Sequence, residues 1–163
     1  MIQADRNRHN RMKSRRFGHA RGYSLVELLF VVAIGIILMG IAIPQVKTQM
    51  YNYRLNSAVA MAKWAIQSTR FQALMKGYKY QVAFSAANNN YQIQNLPSGT
   101  TYQNVGTTVP LSSWPMPVSQ DTTINFQPNG RVTEPVGTNS FTITYHGTTK
   151  TITVSNYGNV TVN

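Results

Sequence analysis

A single carboxylate, Glu27, stands near the start of an apolar run that continues from Leu28 to Ile43 without another charged side chain and ends at Pro44. A charge near the apolar interior of a membrane segment costs about 2.5–3.5 kcal/mol on insertion scales, so Glu27 calls for a partner or a purpose. The residues before it offer one. If the chain is cut after Gly22, Tyr23 acquires an α-ammonium about one helical turn from Glu27, and the acid gains a counter-charge that the uncut chain lacks. Other chemistry finds little footing. Beyond that cut the acids are Glu27, Asp121 and Glu134, too few and too scattered for a carboxylate pair or a metal cage. His146 lies in a turn beside Gly147, and the chain has no cysteine to serve as a nucleophile. The chain is therefore not expected to be an enzyme, and no cofactor or metal is expected.

The segment in front of Glu27 is strongly basic. Residues 1–22 carry Arg6, Arg8, Arg11, Lys13, Arg15, Arg16 and Arg21 against the single acid Asp5. Positive charge flanking an apolar span is retained in the cytoplasm, which places everything after the span outside it. The whole chain bears a net charge of +11, a value that would suggest nucleic acid as a partner. Most of the excess belongs to the leader and is lost with it, so nucleic acid is not an expected partner. Two plainer explanations compete for the same segment. A secretory signal would be cleaved near Gly40-Ile41-Ala42, although Glu27 would interrupt its core. An ordinary single-span anchor suits the length of Leu25 to Ile43, since about 20 apolar residues cross a bilayer, but leaves Glu27 without a role.

Gly22, Tyr23, Ser24, Leu25, Val26, Glu27 and Pro44 resemble, in register, the class III leader of the type IV pilin and pseudopilin superfamily. That pattern is a basic leader ending in Gly, an aromatic first mature residue, a hydroxyl residue, two apolar residues, a Glu and a long apolar stretch with a Pro near its end. Tyr replaces the commoner Phe and Ser the commoner Thr. The resemblance implies cleavage between Gly22 and Tyr23 by a prepilin peptidase, N-methylation of Tyr23, and a role for Glu27 in setting the register of assembly. It also implies that Gly35, Gly40 and Pro44 loosen the helix when the subunit leaves the membrane for a filament; a merely curved helix remains open. The expected partners are the peptidase, other pilins or pseudopilins, an inner-membrane assembly platform and inner-membrane lipid. The expected location is the bacterial inner membrane, crossed once, with the leader cytoplasmic and the head periplasmic, and a filament after assembly.

With 163 residues, 42% of them apolar, the chain has room for one globular domain beyond its membrane segment. No disulfide can brace that domain. Past Pro44, Val46, Met50, Tyr53, Ala60, Trp64, Phe71 and Leu74 recur at helical spacing, broken only by Ser57 and Gln67. Lys76-Gly77 supplies a stop. After Gly77 the period shifts to two: Tyr78 to Phe84 and Tyr91 to Gln94 flank Asn88-Asn89-Asn90 and predict a hairpin. Residues 96–121 hold Pro97, Pro110, Pro115 and Pro117 and read as a long irregular connection. Further strands are expected over 122–126, 141–145, 150–154 and 159–162, with turns at Asn129-Gly130, Gly137, His146-Gly147 and Tyr157-Gly158-Asn159.

The expected organisation is thus a removed leader (1–22), a membrane or filament-core helix (23–43), an amphipathic helix half packed on the head (44–77) and a β-rich head (78–163). The fold class is α+β and pilin-like, a long N-terminal helix against an antiparallel sheet. The phrases Phe126-Gln127-Pro128-Asn129-Gly130-Arg131 and Ile152 to Val162 are similar to those of GspH/FimT-type minor pseudopilins and minor pilins. This resemblance implies a structural subunit of a type II secretion pseudopilus or a type IV pilus, acting in initiation or at the tip. The alternative is a DNA-uptake or adhesive minor pilin that binds ligand through its head. The DNA-binding branch of that group carries Gly-Arg-x-Arg near its C-terminus; here the stretch is Gly158-Asn159-Val160-Thr161, with neither arginine.

Overall fold

The structure, a computed structural model, describes residues 22–133 and 140–163. The basic leader up to Arg21, together with Glu134 and the expected turn at Gly137, lies outside them. The chain divides after Ile41 into two compact units. One α-helix, α1 (Leu25–Lys76), begins in the first unit and continues into the second. Its start is favoured by the Ser24 carbonyl, which accepts the Leu28 N–H at 3.1 Å, and by Glu27 in the first turn, where an acid suits the helix dipole. At the other end Gly77 takes a left-handed φ of 73° and donates its N–H to the Ala73 carbonyl at 3.0 Å. Pro44 lies inside the helix, which continues past it even though the ring removes a backbone donor.

The second unit packs seven strands against α1. Strands β1 (Lys79–Ser85), β2 (Asn90–Leu96), β3 (Gln103–Pro110) and β4 (Thr122–Phe126) form one antiparallel sheet in the order β3-β2-β1-β4. Strands β5 (Ser140–Tyr145), β6 (Thr148–Val154) and β7 (Val160–Val162) form another in chain order. The expected single sheet is therefore two. Their shared core unites them: Phe84 of β1 and Phe141 of β5 sit with ring centroids 4.8 Å apart. The segment between β3 and β4 buries Leu111, Met116 and Val118 and runs beside β5, with the Ser119 N–H donating to the Thr142 carbonyl at 3.0 Å.

The hairpin over 79–96 and the strand at 122–126 form where the period-two alternation placed them. By contrast, β3 occupies a stretch that reads as irregular. It is an edge strand whose side chains are mostly exposed, so no apolar alternation marks it. Polar side chains tie it to β2 instead: Thr108 Oγ1 donates to Gln92 Oε1 at 2.8 Å and Gln94 Nε2 to Asn104 Oδ1 at 2.8 Å. Its register against β2 slips between Tyr91 and Ile93, and Gly106 takes a φ of 74° there.

The packing face of α1 also departs from the apolar spacing. Leu55, Ala58, Val59, Ala62, Ala65, Ile66, Thr69 and Ala73 are buried, whereas Tyr53, Trp64 and Phe71 are 77%, 57% and 62% exposed. Four of these residues are alanines, and the buried hydroxyl of this face, Thr69 Oγ1, donates to the Ala65 carbonyl at 2.7 Å. Small residues give a weak hydropathy signal, so the larger side chains of the other face dominate the sequence pattern.

The two sequence phrases noted above meet on this helix. Arg70 Nε donates to the Gly130 carbonyl at 3.1 Å, and the Val132 N–H donates to the Asn156 carbonyl at 3.0 Å, linking the two turns. Gly158 has a φ of 79°, and a β-carbon there would lie 2.8 Å from both Cδ and Nε of Arg70. Gly158→Ala therefore combines backbone strain with a clash at a structural arginine, and should lower stability by about 1–3 kcal/mol. Gly99→Ala, with a φ of 82° but open space around it, carries the strain alone. Thermal unfolding of the two variants should show a larger fall in Tm for Gly158→Ala; equal falls would refute the clamp.

Candidate assembly surface

The functional candidates divide between the start of α1 and the outward face of its second half. Gly22 and Tyr23 precede the helix, both exposed, with Tyr23 at 82%. Glu27 follows in the first turn, and among the described residues no side chain hydrogen-bonds or pairs with it. From Leu25 to Ile41 every large apolar side chain is exposed, and the helix is long and apolar enough to cross a membrane. Among the described residues of its unit, Glu27 is the one charged side chain. Gly35 and Gly40 lie in this stretch, and a β-carbon at either would touch nothing within 4 Å. Helical geometry persists at Gly35, Gly40 and Pro44 alike.

In the second unit, the exposed stripe of α1 runs through Val46, Met50, Tyr53, Trp64, Phe71 and Leu74. At about 100° per residue these positions stand opposite the alanine-lined face. No charged residue falls on the stripe; Lys47, Arg54, Lys63 and Arg70 flank the buried face instead. Met61 and Trp64 of the helix and Tyr91 and Val109 of the sheet line an open groove of about 710 Å³ along it. The Tyr91 hydroxyl reaches Met61 Sδ at 3.9 Å, and burial pushes its phenol above the ordinary value, so it stays neutral in the groove.

A second cluster, which no local sequence pattern marks, is assembled from three distant segments. The Arg54 guanidinium carbon sits 3.8 Å from the centre of the Trp114 ring, and Nη1 donates to the Tyr145 hydroxyl at 3.3 Å. Tyr51 stacks on His146 at 3.9 Å. His146 has a φ of 46° and Gly147 one of 80°, the pair forming the two-residue turn between β5 and β6. The histidine is thus a turn residue in an aromatic stack. Asp121 accepts the Ala86 N–H at 2.7 Å, and among the described residues no group of His, Cys, Asp and Glu could hold a metal ion.

A family model described as the prokaryotic N-terminal methylation motif matches residues 18–43, and one described as type II transport protein GspH matches residues 62–158. Among solved structures, the chain is similar to the minor pseudopilin EpsH from the type 2 secretion system of Vibrio cholerae. The TM-score is 0.53 at 11% identity, over 68% of this chain and 96% of that one. It is also similar to the type IV minor pilin FimU of Pseudomonas aeruginosa, with a TM-score of 0.51 at 15% identity over 69% and 89% of the two chains. At these identities the likeness concerns the fold. No curated protein matches the chain.

The two faces of α1 predict opposite responses to truncation. Ile66→Ala removes a fully buried side chain and should cost about 2–5 kcal/mol. Trp64→Ala, on the exposed stripe, should change stability by no more than about 0.5–1 kcal/mol despite removing a larger side chain. Chemical denaturation midpoints of the two variants would reverse this order if the stripe were the packing face.

Proposed function

We propose, because this chain belongs to the type II transport protein GspH family, that it is a minor pseudopilin or minor pilin whose first turn of helix sets the register of filament assembly. The observation that carries the proposal is Glu27, without a partner among the described residues, at the head of an exposed apolar helix and four residues from Tyr23. Prepilin peptidase cuts between Gly22 and Tyr23 and methylates the new amine. The chain is therefore the substrate of an enzyme. The Tyr23 ammonium, its own or a neighbouring subunit's, then neutralises Glu27. A buried ion pair contributes little net stability but penalises wrong geometry heavily, which suits a register device.

The apolar half of α1 anchors the subunit in the inner membrane before assembly, with the basic leader cytoplasmic and the head periplasmic. In the filament, helices of other pilins replace lipid around it, and Gly35, Gly40 and Pro44 are the positions at which the helix loosens on that transfer. The uncharged stripe from Val46 to Leu74 extends the assembly surface along the head. A minor subunit of this kind works at initiation or at the tip, in contact with the assembly platform. The head offers a DNA ligand little. Residues 158–161 lack arginine, and Arg131 lies 5.2 Å from the centre of the Tyr157 ring.

Intact-mass and N-terminal analysis of membrane-extracted protein should find a chain beginning at methylated Tyr23. A chain beginning at Ile43 would indicate ordinary secretion, and an intact leader in cells with active peptidase would remove the basis of the proposal. Glu27→Ala should still be cleaved, but be under-methylated and missing from sheared filaments. Its incorporation at wild-type level would exclude the register role.

A further inference from the structure

The cluster around Arg54 sits at one end of a groove with no covering element, and its chemistry is that of a bilayer surface. We infer that the groove between α1 and Trp114 is a docking site for the anionic phospholipid interface, holding the head against the membrane before assembly; this rests on the anchoring reading above. The groove, of about 660 Å³, is lined by Val46, Met50, Tyr53 and Trp114, with Gln45, Gln49 and Arg54 completing it. All of it belongs to the second unit, which begins at Ala42.

Its distance from the end of the apolar run suits a headgroup layer. Val46 and Met50 follow Ile43 by about 4.5 and 10 Å along the helix axis, and Arg54 by about 16 Å, at about 1.5 Å per residue. The polar layer of one leaflet is about 5–8 Å thick, so the near residues fall within it or at its edge. Side chains on a helix lean toward its N-terminus, which directs Tyr53 and Arg54 back toward Ile43 and lets the arginine reach headgroup phosphates from beyond the layer. Trp114, 46% exposed, and Tyr53, 77% exposed, are the amphipathic ring types that concentrate at membrane–water boundaries.

Charge selects the occupant. Lys47 is exposed, and the Arg54 guanidinium rests on an aromatic ring and a phenol oxygen, neither of which cancels its charge. In the described part of this unit the one acid is Asp121, already engaged by the Ala86 N–H. The groove therefore presents apolar surface flanked by uncompensated cations, which complements lipid with phosphate headgroups. Each such cation near an anionic surface is worth about fivefold in the ratio of docked to free heads.

The test uses the full mature chain reconstituted in phosphatidylcholine vesicles with or without phosphatidylglycerol. Trp64→Phe leaves Trp114 as the sole tryptophan, excited selectively over the tyrosines, and lipids brominated near the headgroup act as quenchers. Trp114 should be quenched only where phosphatidylglycerol is present, and the quenching should fade as salt shortens the Debye length from about 10 Å to about 3 Å. Lys47→Gln, at an exposed site outside the core, should reduce the docked ratio about fivefold. Arg54→Gln should do so as well. Flotation separates the two levels of failure. A chain that does not float with vesicles overturns the anchoring reading and this one with it, whereas a chain that floats with Trp114 unquenched overturns this one alone. Quenching that is equal in neutral lipid would remove the charge selection that names the occupant, and quenching that falls as protein density rises would assign the groove to a second copy; either result overturns the inference.

Discussion

The second unit is organised by one core that the long helix and the strands share, and half of the helix's buried face is alanine. Ala58, Ala62, Ala65 and Ala73 lie in that core with Val82, Phe84, Ile124 and Phe126, so most of its large side chains come from the strands and most of its small ones from α1, with Leu55 and Ile66 the large residues that the helix adds. Interiors tolerate few voids, so a helix with small residues on one side demands large residues opposite. The division of labour has a second effect. Because α1 satisfies the sheets with its small residues, its own large residues, Trp64 and Phe71 among them, remain outside and available to other chains.

One helix thus serves two partners through opposite faces. In its first half the large apolar side chains are exposed among the described residues, on a stretch long and apolar enough to cross a membrane. In its second half the alanine face is covered and the uncharged stripe is bare. Flanking cations such as Lys63 and Arg70 border the covered face, where Arg70 also fastens the turns at Gly130 and Gly158. A subunit built this way is stable in its own core and incomplete on its surface. That combination suits a part made for assembly, since burying more of the large apolar groups internally would leave less area for neighbours.

Within the head, polar contacts hold the pieces that hydrophobicity does not. Strand β3 is retained at the sheet edge by amide and hydroxyl side chains, and the segment before β4 is held to β5 by Ser119 and Thr142. An exposed strand edge carrying Pro110 and a register slip is also poorly suited to uncontrolled pairing with another edge. The turns follow the same logic. His146-Gly147 adopts left-handed angles at both positions, a geometry that joins β5 to β6 through these two residues alone.

Signals that are local in the chain were legible without coordinates. The lone acid in an apolar run, the basic leader before it, the helix stop at Lys76-Gly77 and the alternation over 122–126 each arise from neighbouring residues, and short-range sterics and solvation act on neighbours. The face of α1 that packs, the strand β3 and the cluster of Tyr51, Arg54, Trp114 and His146 were not legible. Alanine is too weakly hydrophobic to outvote tryptophan in a periodicity, so the apolar spacing marked the outward stripe. A polar edge strand depends on partners in β2 that lie a dozen residues away. Arg54 and Trp114 are separated by sixty residues of chain and meet only because the segment after β3 returns to the helix. The sequence by itself determined the long helix, its stop at Lys76-Gly77 and the strands marked by apolar alternation; which face of the long helix is covered was decided by tertiary packing, because it depends on the shapes of both partners.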